Sequence, residues 1–278
     1  MNYLFIADLF VEDGVQGGAE MCNDELIKKL IGRGHNVSTV HSFFTSIDVI
    51  QTVAPDIIIF GNFLGLQHSV IDFVKNSGVK YFIYEHDFKF LSTRDSSVFP
   101  NHLAPPEHII HREFYTNAYK IIAQSNRHKS IIEKNLGNNN VISAINLWTE
   151  DHIKDLEEYQ DTPKEYECAV LGHIYSQKNQ VGAEKYCLEN GLNYLLIPYN
   201  TPHNEFCQQL SKCKNLVFFP QVNETLSRIC VEANCLNAEL IVNDNISYKD
   251  ESWSNLRGQE LINYLKSGAE ETINIFES

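Results

Sequence analysis

Residues 215–244 read NLVFFPQVNETLSRICVEANCLNAELIVND. The apolar run Asn215 to Pro220 ends in a polar loop, a helical periodicity follows from Thr225 to Asn237, and a second apolar run opens at Ala238. Short apolar runs bounded by turn residues predict buried parallel strands, and the amphipathic stretch between them predicts the crossover helix of a β-α-β unit. In that reading Glu224 sits at the mouth of the helix and Glu232 two turns further in. An exposed helix start offers backbone N–H groups to a diphosphate, and carboxylates accept hydrogen bonds from ribose or sugar hydroxyls. The same residues also fit a capped amphipathic helix with Glu224 and Arg228 paired at i, i+4.

Working outward, the alternation continues on both sides. Strand ECAVLGHI, helix Gln180 to Asn190, strand NYLLIPY and helix Asn204 to Lys212 precede the opening stretch, and strand AELIVND closes it. Together they predict a smaller Rossmann-like unit over residues 167–250, followed by a helical tail over 251–278. Strand ECAVLGHI runs into the polar loop Gly172-His173-Ile174-Tyr175-Ser176-Gln177-Lys178-Asn179, with Lys178 its single lysine. Residues 149–166 hold seven acidic residues against Lys154 and Lys164, with Pro163 as a helix breaker, and predict an acidic interdomain linker. Residues 1–148 repeat the pattern on a larger scale. Strands are expected at Asn2 to Phe10, Asn36 to Ser42, Asp56 to Phe63, Lys80 to Asp87, Tyr119 to Ser125 and Val141 to Leu147. Helices are expected at Gly17 to Gly34, Leu66 to Asn76, Glu107 to Ala118 and Arg127 to Leu136. The fold class is therefore α/β, with two doubly wound parallel units, and such sheets bind ligands beyond the carboxyl ends of their strands.

Two strand ends of the first unit carry candidate chemistry. After the first strand comes Asp13-Gly14-Val15-Gln16-Gly17-Gly18-Ala19-Glu20. Gly17 and Gly18 at a helix start let backbone amides approach an anion, or they make a plain tight turn. After the fourth strand comes Glu85-His86-Asp87, which offers a base, an acid or a hydrogen-bonding clamp, or simply solvated loop charges. Strand alternation puts Glu85 and Asp87 on one face and His86 on the other.

Composition bounds the rest. The chain has 278 residues, 43% hydrophobic and 21% charged, with Lys+Arg 22 against Asp+Glu 36 and a net charge of −14. That balance repels phosphate backbones and anionic lipid at long range. No apolar run approaches the roughly 18 residues of a membrane span, and the start MNYLFIADLF lacks the basic region of a signal peptide, so a cytoplasmic protein is expected. The seven cysteines are odd in number and form no C-x-x-C pair, which suggests reduced thiols rather than disulfides or a zinc site. Lys120, Arg127, His128, Lys129 and Lys134, opposed by Glu133 alone, form the one locally basic segment.

These residues together resemble retaining glycosyltransferases of the GT-B fold, closest to family 4, in which two Rossmann-like domains face each other across a cleft. Glu224 and Glu232 reproduce an E-x7-E motif followed by Ala233, Gly172 to Lys178 matches a G-R-x4-K element, and Gly17-Gly18-Ala19-Glu20 matches an amino-terminal glycine pair. YEHDFKFLSTRD, NLWTEDHIKDL and FFPQVNETLSRICVEANCLNAELIVND are similar to short phage-encoded glycosyltransferases, and the resemblance covers nearly the whole chain.

The resemblance implies a nucleotide-sugar donor, UDP-linked, and transfer with retention to a polar glycan or a hydroxymethylated DNA base. It assigns Glu232 to the ribose, Glu224 to the donor sugar, and Lys178 with the Thr225 and Leu226 amides to the diphosphate. Gly17 and Gly18 fall on the phosphate side, His86 falls near the active-site histidine, and Glu85, Asp87 and Arg94 are acceptor-side candidates. No D-x-D triplet is present, and no metal is expected. The family arginine is His173 here, so a second cation is wanted, and Arg228 is the candidate beside Glu224. The rivals are a GT-B epimerase or phosphorylase, and a catalytically inactive nucleotide-sugar or partner-binding protein.

Overall fold

A computed structural model describes residues 1–14, 17–137 and 140–278. They divide into two compact units: Met1–Leu147 with Gly268–Ser278, and Trp148–Ser267.

The first unit runs β1 (Asn2–Ala7), α1 (Gly18–Gly32), β2 (Asn36–His41), α2 (Ile47–Val53), β3 (Ile57–Phe60), α3 (His68–Ser77), β4 (Lys80–Tyr84), α4 (Arg112–Thr116), β5 (Lys120–Ala123), α5 (Asn126–Leu136) and β6 (Val141–Ser143). Among the described residues its sheet has the order β2-β1-β3-β4-β5-β6, every pair parallel. Alternation along β1 explains the double winding: Leu4 and Ile6 enter one core with Ile58, Phe60 and Ile83, and Tyr3 and Phe5 enter the other with Ile59, Phe82 and Tyr84. Strands covered on both faces need continuous apolar runs, which is what DIIIF and KYFIY supply.

The second unit runs α6 (Glu150–Tyr159), β7 (Tyr166–Leu171), α7 (Gln180–Glu189), β8 (Tyr194–Ile197), α8 (His203–Ser211), β9 (Cys213–Phe218), α9 (Arg228–Cys235), β10 (Glu239–Val242) and α10 (Gly258–Glu277), the last of which continues into the first unit from Gly268. Its parallel sheet has the order β10-β9-β7-β8. All seven cysteines are buried free thiols.

Several expectations are corrected. Residues 149–166 are not a bare linker, because they carry α6. The Thr149 side chain caps that helix by accepting from the His152 amide at 3.2 Å, Glu150 and Asp151 complement its positive end, and Ile153 and Leu156 are buried. Of the acidic residues there only Glu150 and Asp151 mark the helix start, and Pro163 falls beyond the helix end. The tail is helical only from Gly258, and its last turns bring Ile273 and Phe276 into the first unit's core. The helix expected over Glu107 to Ala118 shrinks to α4, since Pro105 and Pro106 start a separate turn and His111 adopts φ 54°. Helix α2, not anticipated, is capped by the Ser46 side chain accepting from Val49 N at 3.2 Å.

Candidate functional site

The second unit gathers its polar residues beyond the carboxyl ends of β7 and β9. At Gly172 the chain leaving β7 passes so close to β8 that a Cβ there would lie 3.0 Å from the Ile197 carbonyl and 3.2 Å from the Tyr199 amide, which accounts for glycine. The loop then makes a 3-10 turn at Ser176–Lys178, and Asn179 caps α7 through Gly182 N at 3.2 Å. Two bonds tie this loop to the end of β9: Gln221 N donates to Gln177 O at 2.7 Å, and Asn179 Nδ2 donates to Phe219 O at 2.9 Å.

That tie brings Lys178 to Glu224. Lys178 Nζ lies 2.7 Å from Glu224 Oε1, with both side chains partly open to solvent. His173 stands at the same loop, its ring 4.7 Å from the Tyr199 ring and 5.3 Å from that of Tyr175, and its Nδ1 accepts from Tyr175 N at 3.1 Å. Burial, then the Lys178 ammonium, hold His173 below the usual histidine range, so it is neutral at pH 7.

The helix start differs from expectation. Glu224 forms a lone parallel bridge to Ile246 and the chain bends at Thr225 and Leu226: Glu224 N donates to Asn245 O at 2.8 Å, Ser247 N to Glu224 O at 3.2 Å and Tyr248 N to Leu226 O at 3.1 Å. Ser227 takes φ 79° and α9 begins only at Arg228. Thr225 and Leu226 therefore lie in a bend before the helix rather than in its first turn.

Arg228 is also re-placed. Its guanidinium lies 4.4 Å over the Trp148 ring and 3.8 Å from Glu232 Oε1, while the ion pair of Glu224 goes to Lys178. Glu232 is 4% exposed and accepts from Trp148 Nε1 at 2.8 Å, with His203 Nε2 at 3.7 Å. Burial works against its charge, but His203 and Arg228 outweigh it, and the carboxyl titrates down at about 2. Trp148, His152, Asp155 and His203 were not singled out as site residues; the first three lie inside the segment NLWTEDHIKDL, and only the fold joins them to Glu232.

In the first unit, Glu85 is fully buried. Its carboxylate accepts from Lys89 Nζ at 2.8 Å, from Lys89 N at 3.2 Å and from the Tyr115 hydroxyl. Asp87 pairs with Lys89 at 2.7 Å and with Arg94, whose Nε donates at 3.0 Å. Burial disfavours the Lys89 ammonium, but Asp87 and Glu85 outweigh it and keep it charged. The shared face expected for Glu85 and Asp87 is thus occupied by a buried lysine that sequence reasoning missed. His86 turns the other way, its ring 4.3 Å from that of Tyr84 and its Nε2 2.8 Å from Asn23 Oδ1. Burial, then Lys89, push His86 down to about 3.

Gly17 caps α1, and the Glu20 carboxylate folds back against it, so this helix start already faces its own acid. Burial pushes that carboxyl up. Val15 and Gln16 of this loop lie outside the described residues.

His128 is corrected as a member of a basic surface. It is fully buried, accepts from Gln124 N at 3.2 Å and donates to Asp87 O at 2.7 Å, and burial pushes it to about 3. Lys129 faces Glu133 at 3.7 Å, and Lys134 donates to Asn101 O at 2.8 Å. Among the described residues no helix is long and apolar enough to cross a membrane.

No family model and no curated protein sequence matches the chain. Solved structures are similar to it. The catalytic domain of starch synthase IV from Arabidopsis thaliana, bound to ADP and acarbose, shares 11% identity with a TM-score of 0.57, over 99% of this chain and 92% of that one. HepE from Anabaena in complex with UDP shares 15% at 0.54, over 98% and 91%. An alpha-glucosyltransferase in complex with UDP and a 13-mer DNA shares 13% at 0.53, over 99% and 90%. With the two parallel sheets, this likeness defines the fold class as GT-B.

Proposed function

We propose that the protein is a retaining glycosyltransferase that moves a sugar from a nucleoside-diphosphate donor, UDP-linked, to an acceptor hydroxyl. The observation that carries the reading is the Lys178–Glu224 pair at 2.7 Å, eight residues before an enclosed, ionised Glu232 on α9. A half-open ammonium can exchange its carboxylate for a diphosphate, and the released Glu224 can accept from donor-sugar hydroxyls while Glu232 accepts from the ribose. The fold class shared with proteins crystallised with UDP or ADP agrees with such a donor.

In this mechanism the bond from the anomeric carbon to the diphosphate oxygen breaks, and its electron pair leaves with the phosphate. Lys178 offsets the charge that develops there. The acceptor oxygen bonds to the anomeric carbon on the same face and gives its proton to the departing phosphate, so no protein nucleophile is needed. His173, neutral at pH 7, adds a hydrogen-bonding ring rather than a second charge. We infer a metal-independent reaction and a polar glycan acceptor; the burial of His128 and the pairing of Lys129 remove much of the positive surface that a DNA acceptor would want.

A second reading, a nucleotide-sugar-binding protein without turnover, is favoured by the neutral His173 where the resembled family has arginine. Release of UDP from UDP-sugars, assayed with an acceptor panel of glycans and hydroxymethylated DNA, separates the two. Transfer with retained anomeric configuration supports the first reading, and saturable binding without release supports the second.

A further inference from the structure

The Glu232 carboxylate is gripped through one oxygen. Trp148 Nε1 at 2.8 Å, His203 Nε2 at 3.7 Å and Arg228 Nη2 at 3.8 Å all converge on Oε1, and none of these contacts uses Oε2. His203 is fixed from its other side as well. Its Nδ1 lies 2.7 Å from Asp155 Oδ2, a carboxylate whose second oxygen accepts from Asn204 Nδ2 at 2.9 Å. Its ring stacks on that of His152 at 3.7 Å and 14°.

We propose that His203 is a positioning residue for Glu232: the row Asp155–His203–Glu232, together with the Trp148 indole, clamps Oε1 and turns Oε2 toward a ribose hydroxyl of the donor. This rests on the reading of Glu232 as the ribose-binding carboxylate. The geometry asks for an imidazolium, because His203 lies between two carboxylates and only the charged ring has an N–H for each. A neutral ring would keep one proton and point a lone pair at the other carboxylate.

The groups facing His203 favour that state. From α6 come Asp155 and His152, from its own helix Cys207, whose Sγ is 3.7 Å from both ring nitrogens, and from α9 Glu232 and Arg228. Burial disfavours charge on His203, but Glu232 and Asp155 outweigh it and move its titration upward. His152 is pushed down to about 4, by burial first and then by His203, so of the stacked pair His203 is the ring that takes the proton first. Donor affinity should accordingly weaken as pH rises through the His203 titration.

The test is calorimetric titration of UDP into the wild-type, His203→Gln and Trp148→Phe chains from pH 6 to pH 9, with donor KM and kcat measured alongside. Wild-type affinity should fall across one titration above the ordinary histidine value of about 6.5. His203→Gln removes the charge beside Glu232 and should bind UDP on the order of tenfold more weakly, with that pH step gone and the loss in KM rather than kcat. Trp148→Phe keeps a ring under Arg228, removes one Oε1 donor, and should raise KM with the pH step retained; it serves if His203→Gln does not fold. Wild-type affinity and pH profile in a folded His203→Gln chain, or in its absence wild-type KM in Trp148→Phe, overturns the proposal. Absence of UDP binding by the wild-type chain overturns the Glu232 reading itself.

Discussion

Lys178 Nζ and Glu224 Oε1 lie 2.7 Å apart although 46 residues separate them, because the loop after β7 and the loop after β9 are stitched together by Gln177, Asn179, Phe219 and Gln221. An ion pair this open contributes little to stability, about 0–1 kcal/mol. Its placement beyond two adjacent strand ends suits ligand charge instead. Lys178→Ala should lower kcat/KM by roughly ten- to a hundredfold, the worth of one charged hydrogen bond to the leaving diphosphate, and leave the melting temperature nearly unchanged. Steady-state kinetics and a thermal melt check this; a large loss of stability with wild-type kinetics would make the pair structural.

Lys89 is the opposite case. Its ammonium is 1% exposed between Glu85 and Asp87, so removing it leaves buried carboxylates without their cation. Lys89→Met should destabilise the first unit by about 3–5 kcal/mol, and adding Glu85→Gln should recover part of that loss. Urea unfolding of the single and double variants measures it. Strictly additive losses would mean that Glu85 and Lys89 are not coupled.

Much of the first unit was legible because its sheet contains runs such as Tyr3–Ala7 and Ile57–Phe60, apolar on both faces and separated by amphipathic segments. The spacing of Glu224 and Glu232 was legible too. The start of α9 was not, since the pairing of Glu224 and Leu226 with residues 245–248 is a tertiary contact that overrides helix propensity. Nor was the surrounding of Glu232: Trp148, His203 and Arg228 come from separate segments, and no local pattern marks them as neighbours. Lys89 was not singled out, because a buried lysine has no local signal.

Acid sensitivity follows from His128. In the folded chain burial holds its titration at about 3, whereas an unfolded histidine titrates near 6.5, so between these values the unfolded state binds the extra proton. Stability should therefore fall as pH drops from about 6.5 toward 3, by about 1.4 kcal/mol per pH unit from this residue. His128→Gln should lose that share of the slope, and urea titrations at pH 7 and pH 5 read it. Equal slopes in the two chains would mean that His128 is protonated in place.

Metal removal should leave turnover nearly intact. The diphosphate charge is assigned to Lys178, and the carboxylates of Glu85 and Asp87 are engaged by Lys89 and Arg94. Loss of activity in EDTA with rescue by manganese would contradict that assignment.

The central claim is that Glu232 binds the nucleotide of a sugar donor. Titrating UDP into wild-type and Glu232→Ala chains at pH 7 tests it most directly. Saturable wild-type binding that weakens by roughly ten- to a hundredfold in a folded Glu232→Ala chain, in line with lost charge-assisted ribose hydrogen bonds, is the predicted result. Equal affinity in the two chains, or no binding of UDP by the wild type, would contradict it.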